Sequence, residues 1–489
     1  MQGNKIGYLI GGAILATTCL AQAETLQPDP AWQQGKLENG FSWQILQTPQ
    51  RPNDRVQLRL LVKTGSLSEK TQQRGYTYLI PKIVLSSSKD LSSQKLENLW
   101  HMAIDTKNGF PPAIVSYDFT LYSLSLPNNR PDLLQDALIW LSDIAGGAVF
   151  TPETLAQAIK GDEHLVTTFP SDIQDPVWRM RLQGSTLIDH DPGMPVSEPV
   201  DVKKVENFYH QWYTPDAMTL YVAGHVDNRS LSERINRAFA SLEGKRQTPE
   251  PVPTLLPLKA ATIGVVSEKA KQDRLSLTWN LNWLPINNSQ TLMQYWLNDL
   301  TREALYRYLQ LGLKDKQDDM QLGLDCRVLY QRANCSLNLD SPTDKLMEST
   351  LYLASQLSSL RGNGLPQTQF DELYAQKRGQ LQQLFAMYAR TDTDILINQR
   401  LLSQQNNVID IAPEQFQRLR QAFLTSLTPQ LLNKKLQEML SQEISFILVQ
   451  PKGEATVDVN QIKNSFNQIM RPGPQPEKPK EPKTVNDGE

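Results

Sequence analysis

Hydrophobic and polar residues follow two different periods along this chain, and each is typical of a folded element. Between residues 114 and 126 they alternate, which predicts a β-strand with one buried face. Pro152 and Pro366 stand where proline favours the first turn of a helix. Strands followed by runs of helices predict an α+β fold. Between residues 132 and 144 apolar side chains recur at helical spacing: Leu133, Leu134, Ala137, Leu138, Leu141 and Ile144.

The two halves of the chain repeat the same order of elements. Residues 53–55 (Asn-Asp-Arg) precede an apolar strand in the first half, and residues 272–274 (Gln-Asp-Arg) precede one in the second. The helices that open near Pro152 and Pro366 correspond in the same way. Matching positions lie about 215 residues apart, and a weak repeat at that distance predicts duplicated lobes rather than a solenoid.

Two proline-rich stretches divide the sequence. Residues 248–259 contain four prolines, a density that opposes helix and central strand alike, so they are predicted to form an extended linker. Residues 24–247 and 260–470 are then the two lobes. Residues 471–489 alternate proline with glutamate and lysine and are predicted to form a disordered tail.

The first 23 residues have the pattern of a cleaved secretory signal. Lys5 precedes a mostly apolar run over residues 6–20, and residues 21–23 (Ala-Gln-Ala) form a small-residue cleavage site. We expect cleavage after Ala23. A lipid anchor at Cys19 is the alternative, although residues 16–18 are a poor lead-in for one. The protein is therefore expected to be exported.

Overall charge excludes two classes of partner. The sequence has 49 lysines and arginines against 52 aspartates and glutamates, a formal net charge of −3. This balance provides no basic surface for nucleic acid or for an anionic membrane. No segment after the signal is long and apolar enough to suggest an integral membrane protein.

Beyond the signal, the sequence contains two cysteines, Cys326 and Cys335, and an exported protein with such a pair suggests a disulfide. Residues 324–329 and 332–337 are predicted to be two strands joined by a turn at residues 330–331. In that register the two cysteines form a non-hydrogen-bonded pair, where side chains lie closest. Tyr-Gln is an unfavourable turn pair, and two buried free thiols are the alternative.

Several local motifs resemble those of one known family. They are residues 39–41 (Asn-Gly-Phe), residues 62–69 (Val-Lys-Thr-Gly-Ser-Leu-Ser-Glu), Gly75, residues 213–220 (Tyr-Thr-Pro-Asp-Ala-Met-Thr-Leu) and residues 222–227 (Val-Ala-Gly-His-Val-Asp). The chain resembles the insulinase/pitrilysin zinc peptidases, of the inverzincin type. The resemblance implies two homologous lobes, each a mixed antiparallel sheet with helices on one face, joined as a clam shell. It also implies zinc metalloendopeptidase activity.

The residues that this activity requires are missing from the matching segment. Active members carry an H-x-x-E-H motif on a helix, because histidines four residues apart share a face and can hold one Zn²⁺. Here Tyr78 and Lys82 stand at the histidine positions and Pro81 at the glutamate position. None of these side chains is a good replacement, because a phenol is a poor zinc ligand near neutral pH, a protonated lysine has no lone pair to give and proline cannot act as a base. Pro81 is also expected to disturb the helix.

A third zinc ligand in active relatives is a more distant glutamate, and Glu163 is its candidate remnant. Without partners it is expected to be an ordinary carboxylate. The five histidines form no H-x-x-E-H or H-E-x-x-H pattern. We therefore expect no catalytic residues and no metal or other cofactor.

Three functional hypotheses follow from these observations. The first is a periplasmic pseudopeptidase that binds peptide, unfolded polypeptide or an active peptidase relative between its lobes. The second is a zinc metalloendopeptidase with an unconventional site near Glu163 and His164. The third is a structural envelope protein without a ligand. Loss of all three motif positions together favours the first.

Overall fold

A computed structural model describes residues 23–50, 54–103, 111–161, 165–255, 258–281, 283–314 and 320–471 of the chain. Residues 1–22 of the predicted signal and residues 472–489 of the predicted tail lie outside these ranges. Within them, no helix has the length and apolar character needed to cross a lipid bilayer.

The first lobe combines one sheet with a layer of helices. Its strands are β1 (Trp32–Lys36), β2 (Ser42–Gln47), β3 (Arg55–Val62), β4 (Ala113–Val115), β5 (Thr120–Pro127), β6 (Val166–Thr168) and β7 (Met218–Gly224). Its helices are α1 (Tyr76–Ser86), α2 (Ser93–Ala103), α3 (Pro131–Gly146), α4 (Pro152–Lys160), α5 (Pro176–Arg181), α6 (Val202–Trp212) and α7 (Asn228–Phe239).

The second lobe follows the proline-rich stretch and is richer in helix. Its strands are β8 (Thr262–Ser267), β9 (Asp273–Leu281), β10 (Gln321–Leu329), β11 (Arg332–Ser341) and β12 (Ser445–Pro451). Its helices are α8 (Ser289–Gly312), α9 (Leu346–Asn363), α10 (Gln367–Gln382), α11 (Leu384–Tyr388), α12 (Thr393–Gln405), α13 (Pro413–Ser426), α14 (Pro429–Leu440) and α15 (Val459–Met470).

Both sheets have the same internal order, which confirms the predicted duplication. In the described parts of the chain the first sheet runs β1-β2-β7-β3-β5-β4-β6 and the second runs β10-β11-β9-β12-β8. Read backwards, the second repeats the β2-β7-β3-β5-β4 core of the first. The parallel pair β2 and β7 recurs as the parallel pair β8 and β12, among otherwise mainly antiparallel neighbours. The fold therefore has two equivalent α+β lobes with mixed sheets.

Each sheet buries one face against helices of its own lobe. In β3, Leu58, Leu60 and Val62 alternate into a core that they share with Ile80 and Ile83 of α1. The helix predicted over residues 132–144 is α3, with Pro131 in its first turn. Thr151 caps α4 by accepting a hydrogen bond from the Thr154 amide.

The opposite face of each sheet is covered by a helix from the other lobe. Leu396, Ile397 and Leu401 of α12 pack on Leu61 and Tyr221 of the first sheet. Across the molecule, Arg181 at the end of α5 donates a 2.8 Å hydrogen bond to the Ser336 hydroxyl on β11. α5 and α12 begin about 215 residues apart, the distance that separates the repeated elements. The lobes thus exchange equivalent helices.

The hairpin of β10 and β11 has the predicted register, with Cys326 opposite Cys335. The two cysteines form a disulfide. Tyr330 and Gln331 take left-handed backbone conformations at the turn, with φ of 48° and 64°. The Tyr330 side chain packs against a cluster of the first lobe that includes Tyr117 and Trp178. Contact between the lobes therefore stabilises a turn that its own residues disfavour.

We predict that Tyr330→Phe lowers the free energy of unfolding by about 1 to 2 kcal/mol, because the Tyr330 hydroxyl donates a 2.6 Å hydrogen bond to Asp118 Oδ1 across the lobe boundary. Urea denaturation of Tyr330→Phe, Asp118→Asn and the double variant isolates the coupling between the two side chains. Strictly additive effects of the two substitutions would show that this contact does not join the lobes.

Candidate functional site

The helix that carries the matching motif positions begins at a glycine that no other residue could replace easily. Gly75 precedes α1 with φ of 91°, in the left-handed region. A Cβ atom built there would lie 2.7 Å from the Val196 backbone nitrogen and 2.8 Å from the Met194 carbonyl oxygen. The glycine therefore permits both the turn into the helix and the close approach of the segment around Val196.

A buried carboxylate holds the start of this helix. Glu69 Oε1 accepts hydrogen bonds from the Thr77 amide at 2.7 Å and the Thr77 hydroxyl at 2.6 Å. Glu69 Oε2 accepts one from the Gly75 amide at 3.1 Å. Only 6% of Glu69 is exposed, and this burial raises its pKa to about 7 against the opposing effect of the three hydrogen bonds. Glu69 was part of a resemblance motif, but its capping role was not predicted.

Side chains at two of the three motif positions, Tyr78 and Lys82, contact each other, and Tyr78 also contacts β6. The Tyr78 hydroxyl donates to the Val166 carbonyl on β6 at 3.4 Å. The Lys82 ammonium nitrogen lies 4.7 Å from the centre of the Tyr78 ring, a cation–π contact. Pro81 is buried. The Tyr78 phenol thus links α1 to β6, and the Lys82 ammonium lies over its ring.

The expectation that Pro81 disturbs the helix is wrong, because α1 continues to Ser86. Proline removes the amide that would bond the Thr77 carbonyl, one hydrogen bond of the helix. Buried packing of Ile80, Ile83 and Val84 on both sides of Pro81 holds the helix together in spite of that loss.

Zinc does not fit the residues present at this position. A protonated lysine has no lone pair to donate, a neutral phenol is a poor ligand, and proline has no ligating side-chain atom. Throughout the described ranges, no group of three histidine, cysteine, aspartate or glutamate side chains could hold a metal ion. Glu163 and His164 lie outside those ranges.

Histidines within the described ranges have structural contacts. His190 Nδ1 lies 2.9 Å from the Ser66 carbonyl oxygen, and His225 Nδ1 lies 3.3 Å from that of Thr48. His101 and His210 each face a glutamate one helical turn earlier, at 3.8 Å and 4.0 Å. The four side chains are thus dispersed over the first lobe.

A cavity of about 620 Å³ lies between the lobes, on the other face of the first sheet. Along β3, Leu60 and Val62 face the helical core that contains α1, whereas Leu61 and Lys63 line the cavity. The motif positions on α1 therefore do not line it. Side-chain amides contribute much of the wall: Gln34, Gln44, Gln404 and Gln405.

Charged groups of both signs gather at one end of this cavity. Lys63, Asp118 and Glu250 line it together, and Glu250 comes from the predicted linker. Burial raises the pKa of Asp118, although the hydrogen bond from Tyr330 opposes the shift. Burial likewise raises the pKa of Glu250, and the positive charge of Lys63 opposes this shift. The wall carries Lys36 as a second cation, so its two cations and two carboxylates balance.

We predict that Glu69 makes stability depend on pH between about 4.5 and 7. Its folded pKa of about 7 exceeds the ordinary value of 4.5, so the folded protein retains a proton that the unfolded chain releases. The contribution of the protonated Glu69 to the free energy of unfolding is present in full below about pH 4.5. It falls by about 3 kcal/mol as the pH rises through 7. Denaturation of wild type and Glu69→Gln across this range measures it, and only the wild type should show this loss.

Direct observation of the Glu69 carboxyl carbon by NMR provides the control for that experiment. Titration near pH 7 agrees with the predicted stability profile. Titration at or below pH 4.5 would mean that the three hydrogen bonds outweigh burial, and that the helix is capped by a carboxylate ion at neutral pH.

Comparison with known proteins gives consistent matches over both lobes. A family model described as Insulinase (Peptidase family M16) matches residues 45–183, and one described as Peptidase M16 inactive domain matches residues 199–377. The chain is 51% identical to Protein YhjJ of Escherichia coli K12 over 474 residues, which cover 96% of this chain and 95% of that protein.

Solved structures place the same fold in two other proteins. A predicted insulinase family protease from Yersinia pestis matches with a TM-score of 0.89 and 54% identity, over 95% of this chain and 100% of that one. The periplasmic protease PqqL from Escherichia coli matches with a TM-score of 0.76 and 19% identity, over 92% of this chain and 51% of that one. The present chain thus spans about half the length of PqqL.

Proposed function

The chain belongs to the M16 insulinase peptidase family, and from that premise we propose that it is a catalytically inactive member that binds peptide segments without cleaving them. The observation that carries the proposal is the set of residues at the motif positions. Tyr78, Pro81 and Lys82 replace the two ligands and the base together. Tyr78 contacts Lys82 and the Val166 carbonyl, and Pro81 is buried, as expected of a packed structural element.

Retention of the two-lobed scaffold supports peptide binding as the surviving function. The interlobe cavity offers side-chain amides from both lobes, Gln34 from the first and Gln405 from the second, and an amide can donate to a peptide carbonyl and accept from a peptide N–H. Gln44 and Gln404, which also line it, hydrogen-bond each other at 3.2 Å. Because the cavity wall has two cations and two carboxylates, its charge favours neither acidic nor basic peptides. A cavity of this size accommodates a few residues of an extended chain.

The proposed site of action is the periplasm. The predicted signal over residues 1–23 supports export, and PqqL, which shares the fold, is described as a periplasmic protease. Because PqqL is about twice as long, a second protein of the family, including an active relative, is a further proposed partner for this chain.

We predict that Tyr78→His/Pro81→Glu/Lys82→His raises the zinc content of the protein from near zero to about one ion per chain, because histidines four residues apart on α1 share one face. Elemental mass spectrometry after dialysis against metal-free buffer measures the zinc. Adding Glu163→Ala to this variant should lower the content again if Glu163 supplies the third ligand.

Tyr78→Phe/Lys82→Gln is the matched control, since it alters the two positions that receive histidine in the triple variant without adding zinc ligands. Thermal melting of each variant shows whether it is folded. A folded triple variant that binds no zinc would contradict the match between these positions and the family motif. Cleavage of an unfolded polypeptide by the wild type, abolished by a chelator, would contradict the proposed lack of activity.

A further inference from the structure

A groove in the second lobe lies between α8 and α14 and is separate from the interlobe cavity. Two adjoining hollows of about 460 Å³ and 300 Å³ form it, and they share Asn298, Lys435 and Glu438. Among the described residues, none that lines these hollows also lines the interlobe cavity. We refer to the two hollows together as the α8–α14 groove.

The two helices form the long walls of this groove. On α8 the lining positions run from Thr291 to Thr301, and on α14 they run from Leu431 to Met439, mainly at the three- and four-residue spacing of one helical face. The larger hollow contains the start of both spans and the smaller hollow contains the end of both, so the helices run in the same direction along the groove. The span of α8 makes the groove about 15 Å long.

Aromatic side chains line the larger hollow. Trp283 follows β9, Tyr295 lies on α8, and their ring centres are 5.8 Å apart with the ring planes at 85°. Leu284 and Leu431 border the same hollow and are 54% and 38% exposed. The face of an aromatic ring is electronegative. It therefore attracts the C–H groups on the face of a pyranose ring, which carry partial positive charge.

Side-chain amides supply most of the hydrogen-bonding groups along the rest of the groove. Within the described ranges, three of these amides form no hydrogen bond with another protein group: those of Gln294, Asn298 and Gln442. An amide donates and accepts hydrogen bonds at once, as a sugar hydroxyl does. The amides of the groove are therefore free to bind a ligand rich in hydroxyl groups.

Each hollow also contains a buried polar atom without a hydrogen-bond partner in the described parts of the chain. They are the donor Trp283 Nε1 in the larger hollow and the acceptor Asn280 Oδ1 in the smaller one. Most buried polar groups in folded proteins are paired. Unused donors and acceptors at both hollows are expected of a ligand site rather than of a purely structural gap.

The walls of the groove disfavour a polypeptide as its ligand. The backbone N–H and C=O groups of α8 and α14 are hydrogen-bonded within each helix, so they provide no strand edge for an extended main chain. Charge gives little preference either. Lys435 and Glu438 lie 3.3 Å apart, which leaves Lys434 as the remaining charged side chain of the described lining.

We propose that the α8–α14 groove binds a short neutral oligosaccharide. One pyranose ring would lie against Trp283 in the larger hollow, and hydroxyl groups of the following rings would bond to the amides of Asn298 and Gln442. The groove shares no lining residue with the peptide site proposed between the lobes. Saccharide binding would therefore hold the protein on a glycan while leaving the interlobe cavity accessible.

The test is isothermal titration calorimetry of the mature wild-type protein with two neutral trisaccharides, maltotriose and triacetylchitotriose. We expect at least one of them to bind. Trp283→Ala and Gln294→Ala/Asn298→Ala should each weaken that binding about tenfold or more. Gln417→Ala/Gln421→Ala is the matched control, because it removes two exposed amides four residues apart on α13, and it should leave the binding unchanged.

Unaltered melting temperatures show that the variants fold, and the amide variant alone decides the question if Trp283→Ala does not fold. Absence of binding by both trisaccharides, or binding that is equal in the wild type and in every variant, would overturn the inference. So would binding of a peptide that alternates leucine with serine, if Gln294→Ala/Asn298→Ala weakened it and neither trisaccharide bound. None of these results bears on the proposed peptide site, which lies elsewhere.

Discussion

Each lobe covers one face of the other lobe's sheet with a helix, α5 on the second sheet and α12 on the first, and the rest of the structure depends on this exchange. Strand alternation gives each sheet a second face, and on β3 that face carries the buried Arg59, whose guanidinium donates to the carbonyls of Leu58 and Leu124. A buried polar layer of this kind has to be covered and hydrogen-bonded. α12 provides that cover, and Arg400 within it donates to Gln44 at 2.9 Å. The interlobe cavity follows from this arrangement, since Leu401, Gln404 and Gln405 of α12 line it.

Within the first lobe, the helix that carries Tyr78, Pro81 and Lys82 is a well-supported structural element. Glu69 and Gly75 fix where α1 begins, and apolar packing carries it through Pro81. Tyr78 and Lys82 occupy the motif positions with a contact that needs no metal. The helix is therefore stable without a metal, as our proposal of an inactive family member requires.

Much of the fold could be predicted from local patterns, because duplication and periodicity are properties of short segments. The helix over residues 132–144 and the register at Cys326 and Cys335 are examples. Features that depend on distant contacts could not be predicted. The left-handed turn at Tyr330 needs the first lobe, and the exchange of α5 and α12 has no local signal. The hydrogen bonds that Glu69 accepts from Gly75 and Thr77 span only six and eight residues, but no capping pattern in that stretch predicts them.

The most direct test of the central claim is the zinc content of the untagged, mature wild-type protein. Elemental mass spectrometry after dialysis against metal-free buffer, with an active zinc peptidase treated in parallel, provides the measurement. We expect near-zero zinc in this protein and about one ion per active site in the parallel sample. About one zinc per chain of the wild type would contradict the account and direct attention to Glu163 and His164.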